Sequence, residues 1–194
     1  MHDTGTPSPP ASAPDRAARI VDGLGAVAEA CGQLAAACAT LLVALTAGLV
    51  LAFSLGHGSV KVQDLVLWLN AAMVMLGLGY ALKHRAHVRI DVFAARWSAR
   101  TRARVDVAGL LLLLLPFAAA LVWFSADYVA MSWRIRERSA STGGLEGLYL
   151  AKTLLPLGAG LLALQGVAEL LRALPVALGR GAVDADAAER TPSA

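Results

Sequence analysis

The sequence predicts an all-α integral membrane protein with four transmembrane helices and one amphipathic helix at the membrane surface. Of its 194 residues, 57% are hydrophobic and only 16% are charged, whereas soluble domains carry roughly 25% charged residues. The charges are also unevenly spaced, because four long stretches contain no Asp, Glu, Lys or Arg. These stretches lack the period-two alternation of membrane barrel strands. Backbone groups in lipid must be satisfied within their own segment, so the spans are predicted to be helices.

The charge-free stretches set the positions of the predicted spans. A helix needs about 20 apolar residues to cross the hydrocarbon core of a bilayer. The stretches cover residues 30–60, 65–82, 107–126 and 153–168. We therefore place the spans near residues 34–55, 64–82, 106–127 and 149–171.

The connecting segments argue against a soluble helical protein. Residues 56–63, 83–105 and 128–148 are too short to cover four apolar helices. Segments below about 40 residues rarely fold on their own without disulfides, bound metals or oligomerisation. The chain therefore has no room for a separate water-soluble catalytic or binding domain.

The basic residues predict the orientation in the membrane. Twelve Lys and Arg residues lie before the first span, between the second and third, or after the fourth, and five lie on the other side. Cytoplasmic loops carry the excess of basic residues, so both termini and the 83–105 loop are predicted to be cytoplasmic. Tails at residues 1–15 and 176–194, poor in large apolar residues, are expected to be disordered. They flank a membrane domain at residues 16–175.

Residues 89–104 predict the amphipathic helix. Ile90, Ala94, Trp97 and Thr101 recur at helical spacing beside a row of arginines, a pattern typical of helices that lie in the membrane interface. The alternative is that the arginines only reflect the positive-inside rule. Candidate contacts with lipid phosphates or a partner are Arg85, His87, Arg89, Asp91, Arg96, Trp97 and Arg100.

Several polar residues fall near or inside the spans. Asp64, Asp127 and Lys152 lie at span ends on the predicted periplasmic side, where they form a candidate ionic cluster between helices. The alternative is that each side chain extends separately to the lipid headgroups. Asn70 and Gln165 lie deeper, and each is expected to bond a neighbouring helix.

The sequence offers no support for an enzyme or a cofactor site. No histidine lies in the middle of a span, so a haem clasped between two helices is not expected. His84 and His87 lack Asp, Glu or Cys neighbours in a metal-ligand pattern. Cys31 and Cys38 are separated by about 10 Å along a helix, beyond disulfide reach. No nucleotide-binding loop, nucleophile motif or nucleic-acid-binding fold is present.

The middle of the chain resembles a known family. Gln63-Asp64-Leu65 opens the second span, and residues 80–93 read Tyr-Ala-Leu-Lys-His-Arg-Ala-His-Val-Arg-Ile-Asp-Val-Phe. A Ser/Thr-rich turn at residues 138–142 precedes a span that contains Leu-Pro-Leu-Gly at residues 155–158. These motifs are similar to those of the small permease subunit (DctQ-like) of tripartite ATP-independent periplasmic (TRAP) transporters. The resemblance covers about residues 34–171.

The resemblance implies a role in transport. TRAP systems of the bacterial inner membrane import organic acids, often carboxylates, with an ion gradient. A periplasmic solute-binding protein captures the substrate, a large permease subunit carries it, and the small subunit binds the large one and extends its scaffold. On this basis we expect the chain to brace the large subunit, in contact with membrane lipids. The alternative is a stand-alone four-span structural or transport protein.

The predicted periplasmic loop carries three further arginines. Arg134, Arg136 and Arg138 are candidates for contact with the large subunit or with an acidic surface of the solute-binding protein. The alternative is that these are solvated loop charges. The sequence does not name the transported acid or the coupling ion, because the resemblance assigns specificity to the other subunits.

Overall fold

The computed structural model describes residues 13–84 and 97–179, and these contain four helices long and apolar enough to cross a membrane. The first and second are α1 and α2, the third consists of α3 and α4 joined by a π-helical turn, and the fourth is α5. We call the joined pair the third membrane helix. The bounds are α1 Ala13–Ser54, α2 Val60–Lys83, α3 Ala99–Gly109, the π turn Leu110–Leu114, α4 Leu115–Ile135 and α5 Leu148–Ala177. The predicted four-span helical fold is confirmed.

The helices extend beyond the predicted spans. Their apolar parts run over Val21–Ser54, Val60–Lys83, Arg100–Ile135 and Leu148–Ala177. Polar residues at the ends continue the same helices, because helix formation does not require apolar side chains. The predicted disorder is therefore wrong at its inner edges, since α1 begins at Ala13 and α5 ends at Ala177. The remainder of both tails lies outside the described residues.

The predicted boundary between a surface helix at 89–104 and the third span is also wrong. A helix begins at Ala99 and continues through the π turn to Ile135. Ser98 is its N-cap, with an extended backbone and a side chain that accepts a hydrogen bond from the Thr101 N–H. Such a cap starts a helix, and no proline follows before Pro116. The predicted contact residues between 85 and 96 lie outside the described part of the chain.

The π turn lies directly before Pro116. The N–H of Leu115 bonds to the carbonyl of Leu110, five residues earlier. Proline has no N–H to donate and its ring crowds the preceding turn of a helix. The wider turn at Leu110–Leu114 accommodates this proline while the helix continues across the membrane.

The fourth membrane helix, α5, is the centre of the bundle. It contacts α1, α2 and the third membrane helix, and α1 packs mainly on α2. In the most apolar stretch of α5, one third of the residues are buried in the protein, whereas in that of α1 only 6% are buried. Ala159 and Ala168 on α5 and Ala118 on α4 are completely buried. Small residues therefore line the contacts of α5, as in other membrane bundles.

Two glycines allow α2 and α5 to approach closely. A methyl group added at Gly158 of α5 would lie 2.8 Å from the backbone oxygen of Met75. One helical turn further along α2, a methyl group at Gly79 would lie 3.4 Å from the carbonyl oxygen of Leu161. Contact between the two backbones at this distance requires residues without a side chain.

The bundle has two chemically distinct ends. The basic end contains the start of α1, the end of α2, the start of α3 and the end of α5. Its basic side chains include Arg19, Lys83, His84, Arg100, Arg102, Arg104 and Arg172. The loop end contains residues 55–59 and 136–147, which connect α1 to α2 and α4 to α5.

Candidate functional site

At the basic end, an ion pair joins α1 to α2. The Lys83 ammonium donates hydrogen bonds of 2.8 Å to the Glu29 carboxylate and to the carbonyl oxygen of Gly25. The Nε2 atom of His84 lies 3.1 Å from the same Glu29 oxygen. The His84 ring also packs on Tyr80, with 4.2 Å between ring centroids. These contacts fix the end of α2 against the side of α1.

A second polar group at this end lies on α5. The Glu169 carboxylate accepts hydrogen bonds from Arg172, at 2.8 Å, and from Gln165, at 3.1 Å. Gln165 is 1% exposed, and its Oε1 atom has no hydrogen-bond partner among the described residues. The expectation that Gln165 bonds a neighbouring helix is wrong, because its amide nitrogen bonds one turn along its own helix.

A hydrogen bond joins the start of the third membrane helix to the end of α5. The Nε atom of Arg104 donates a 3.3 Å hydrogen bond to the carbonyl oxygen of Ala177. The last four carbonyls of a helix lack partners within that helix. Arg104 satisfies one of them and also places a positive charge at the negative end of the helix dipole.

The loop end contains a cluster that sequence analysis did not predict. Lys152 of α5 forms an ion pair with Glu137, and its ammonium lies 4.1 Å from the centroid of the Tyr128 ring. The hydroxyl of Ser132 donates a 2.6 Å hydrogen bond to the same Glu137 oxygen. Nearby, the Trp133 indole N–H donates to the Thr153 hydroxyl at 2.9 Å. The cluster joins α4 to α5 where they leave the membrane.

The predicted ionic cluster of Asp64, Asp127 and Lys152 is therefore wrong. Lys152 pairs with Glu137, and Asp127 is exposed on α4. Asp64 is 5% exposed and accepts a 2.8 Å hydrogen bond from the backbone N–H of Leu145. The three residues do lie toward one end of the bundle, but their helices point them in different directions.

Charge-assisted hydrogen bonds alter the acidity of Glu137. The hydrogen bond from the Lys152 ammonium, followed by that from the Ser132 hydroxyl, lowers the pKa of the Glu137 carboxyl below its usual value of 4.5. Both donors favour the charged carboxylate. Glu137 is therefore ionised at neutral pH, as its pairing with Lys152 requires.

The loop between α4 and α5 is a compact turn with exposed arginines. Arg136 ends α4 in a left-handed conformation, with φ of 46°. Arg138 and Glu146 pair across the loop through a backbone bridge and a 3.0 Å salt bridge. The side chains of Arg134, Arg136 and Arg138 are all exposed. The predicted contact loop thus presents its arginines at the surface.

A groove of about 840 Å³ opens between α2, the third membrane helix and α5. Its apolar lining includes Leu78 and Leu82 of α2 and Leu113 and Phe117 of the third membrane helix. Arg102, Asp106, Glu169 and Arg172 line its part near the basic end. α2 and the third membrane helix both pack on α5 and are separated by this groove.

A cluster of metal-binding side chains is not assembled in the described residues. No group of three or more His, Cys, Asp or Glu side chains could hold a metal ion within residues 13–84 and 97–179. Cys31 and Cys38 are free thiols on α1. The polar groups instead tie helices together at the two ends of an apolar bundle.

This arrangement of four membrane helices agrees with a comparison of the sequence with known families. The family model "Tripartite ATP-independent periplasmic transporters, DctQ component" matches residues 33–176, which are 144 of the 194 residues. The chain belongs to the DctQ family. It is therefore a small membrane component of a TRAP transporter and not an enzyme.

The match covers every membrane helix of this DctQ-family subunit, from within α1 almost to the end of α5. Together with the four apolar helices it makes the chain a multi-pass protein of the inner membrane. Its transporter also has a large permease and a solute-binding protein. No curated protein and no solved structure gave a significant match.

Proposed function

We propose that this DctQ-family subunit is a rigid brace for the large permease subunit during import of an organic acid, a carboxylate, driven by an ion gradient. In this role it binds the part of the large subunit that stays fixed while the transporting part moves. It binds neither the substrate nor the coupling ion. The solute-binding protein docks transiently on the assembled complex.

The distribution of polar contacts carries this proposal. Glu29 with Lys83 joins α1 to α2 at the basic end, and Glu137 with Lys152 joins the loop after α4 to α5 at the loop end. Between these ends the outward surface is mainly apolar, with Trp123 and Phe124 each 77% exposed. A bundle whose helices are joined by ion pairs at both ends, with a mainly apolar outer surface, supports a role as a rigid scaffold in the membrane.

The scarcity of charge inside the spans also supports a brace. Residues 30–60, 65–82, 107–126 and 153–168 contain no Asp, Glu, Lys or Arg. Ion and proton pathways through membrane proteins are usually marked by ionisable residues within the spans. The proposal therefore assigns substrate and ion movement to the large subunit.

The proposal includes an orientation. The basic end faces the cytoplasm, in accordance with the excess of Lys and Arg there, and the loop end faces the periplasm. Arg100 and Trp97, with the predicted contact residues between 85 and 96, then lie at the cytoplasmic interface. Arg134, Arg136 and Arg138 lie at the periplasmic surface, within reach of the large subunit or the solute-binding protein.

Reconstituted uptake tests the proposal. Vesicles would contain this subunit alone, the large subunit alone, or both, with the solute-binding protein outside and an inward ion gradient imposed. Uptake of a panel of radiolabelled mono- and dicarboxylates is expected only when both membrane subunits are present. Uptake by this subunit alone, or full uptake by the large subunit alone, would contradict the brace.

A matched pair of variants tests the rigidity of the brace. Lys83→Met removes the ion pair between α1 and α2, whereas Lys61→Met removes an exposed positive charge at the other end of α2. At equal amounts of assembled complex, Lys83→Met is expected to slow uptake and Lys61→Met to leave it unchanged. Equal uptake by both variants would argue that the ion pair is unimportant for bracing.

A further inference from the structure

The exposed face of α2 carries an amide at the centre of the membrane. Asn70 is exposed and makes no hydrogen bond with any described residue. It lies 10 residues from Val60 and 13 from Lys83, which places it about 15 Å and 20 Å from the ends of the helix. The described residues of this chain therefore do not supply the neighbouring-helix hydrogen bond that is expected for Asn70.

Lipid cannot satisfy this amide. Acyl chains offer no hydrogen-bond donor or acceptor, and an amide moved from water to an apolar medium without a partner is strongly disfavoured. Water is scarce at this depth of a bilayer. A second protein helix can supply the missing partner, since Asn side chains commonly bond across helix interfaces in membranes.

Asn70 is continuous with the apolar groove. Asn70, Val74, Leu78 and Leu82 recur every four residues, so they form one ridge along α2. Leu78 and Leu82 line the groove, and Val74 is 44% exposed. Leu67, one turn from Asn70 toward the loop end, is 60% exposed. We call this ridge with the groove beside it the α2 seat.

The shape of the α2 seat favours a different subunit over a second copy of this chain. A two-fold dimer brings the same patch of both copies together, so the patch must be complementary to itself. The seat includes a groove between two helices, and a two-fold dimer in which the grooves of both copies face each other leaves a void. A single helix of another protein fills such a groove better.

We propose that a transmembrane helix of the large permease subunit packs into the α2 seat and hydrogen-bonds the side-chain amide of Asn70. This inference rests on the proposed function, because it assumes that this chain binds the large permease subunit. It adds the face of the bundle through which the two subunits bind. The outer face of α1 then contacts lipid.

Site-specific photocrosslinking tests the seat directly. Benzoylphenylalanine would be placed at Leu67 or Val74 on the seat and, as matched controls, at Val43 or Val50 on α1. The control positions are 68% and 63% exposed. In membranes that contain the whole complex, the seat positions are expected to link to the large subunit and the α1 positions to lipid.

The crosslinked products separate the outcomes. A homodimer of this chain, or lipid adducts alone, from the seat positions would overturn the inference. If the complex is isolated but only the α1 positions link to the large subunit, the brace stands and the seat is wrong. If no complex with the large subunit can be isolated, the proposed function and the seat both fail.

Substitution of the amide gives an independent measurement. Asn70→Leu keeps a similar volume and removes the hydrogen bond, so the dissociation constant of the two subunits in detergent is expected to rise about three- to twentyfold. Asn70→Gln keeps the amide and is expected to restore much of the affinity. Val43→Leu is the control for a change on a lipid-facing surface. Unchanged affinity in Asn70→Leu would overturn the hydrogen bond.

Discussion

The carboxylate of Asp64 at the start of α2 accepts a 2.8 Å hydrogen bond from the backbone N–H of Leu145, which lies 81 residues later in the loop before α5. Asp64 is almost completely buried in this position. The contact fixes the loop between α4 and α5 against α2, although α2 and α4 are separated in the bundle. It therefore links the two halves of the loop end.

Removal of the Asp64 carboxylate is expected to loosen this loop. Asp64→Ala leaves the N–H of Leu145 without its acceptor, which costs about 1–3 kcal/mol of stability. Thermal unfolding in detergent measures the loss, and hydrogen exchange at residues 139–147 locates it. Asp127→Ala is the control, because Asp127 is exposed and surface substitutions usually change stability by less than about 0.5 kcal/mol. Equal losses in both variants would contradict this role of Asp64.

The stability of the loop end is expected to decrease at acidic pH. The folded-state pKa of Glu137 is lowered by its hydrogen bonds from Lys152 and Ser132. The unfolded chain therefore takes up the proton first, at about the usual value of 4.5. The contribution of Glu137 is fully present above that pH and is lost as the pH falls through the lowered pKa of the folded state.

Melting curves between pH 3 and pH 8 measure this dependence. The wild-type melting temperature is expected to fall in the acidic part of the range more steeply than that of Glu137→Gln, which has no carboxyl to titrate. Glu146→Gln is the control, since Glu146 pairs with Arg138 at an exposed site. A wild-type curve parallel to that of Glu137→Gln would show that Glu137 does not contribute.

A side chain at Gly158 is expected to separate α2 from α5. Gly158→Ala brings a methyl group against the backbone of Met75, and overpacking of this kind typically costs about 1–3 kcal/mol. Gly160→Ala, two residues further, meets no atom within 4 Å and is expected to be neutral. The free energies of unfolding of both variants are compared in the same detergent. A neutral Gly158→Ala would mean that the two backbones are not in close contact.

The orientation can be measured by thiol labelling in intact cells. In a background without Cys31 and Cys38, Thr142→Cys at the exposed loop end is expected to react with a membrane-impermeant maleimide. His84→Cys at the basic end is expected to react only after the cells are opened. The reverse pattern would place the termini in the periplasm and contradict the proposed orientation.

Charge reversal at the exposed loop arginines tests their contact with a partner. If Arg134, Arg136 and Arg138 contact the large subunit or the solute-binding protein, the triple change to Glu is expected to lower uptake at least tenfold in the reconstituted complex. Lys61→Glu, also exposed at the loop end, is the control. Unchanged uptake by the triple variant would show that these arginines make no partner contact that uptake requires.

The pattern of apolar residues predicted the membrane spans but not the partners of the polar residues. The apolar stretches located all four membrane helices, because their hydrophobicity is read directly along the chain. The partner of Lys152 was missed, since Glu137 lies 15 residues earlier in a connecting loop. The available signal was an acidic residue just after one span, Glu137, followed by a lysine near the start of the next span, Lys152.

The error at Asp64, Asp127 and Lys152 has a geometric cause. All three lie toward one end of the bundle, and depth in the membrane follows from distance along each helix. Depth does not determine which way a side chain points around the helix axis. Asp64 points into the bundle toward Leu145, while Asp127 points outward from α4.

The order of residues along the chain was enough to predict four membrane crossings and to indicate the family that the chain resembles. Both conclusions depend on hydrophobicity and on motifs, and these are properties of residues that are close together in the sequence. Three features became visible only in the folded bundle: the central position of α5, the pairing of Lys152 with Glu137 and the exposure of Asn70. Those features depend on the rotation of each helix and on the path of the loops, which arise from packing between segments distant in the sequence.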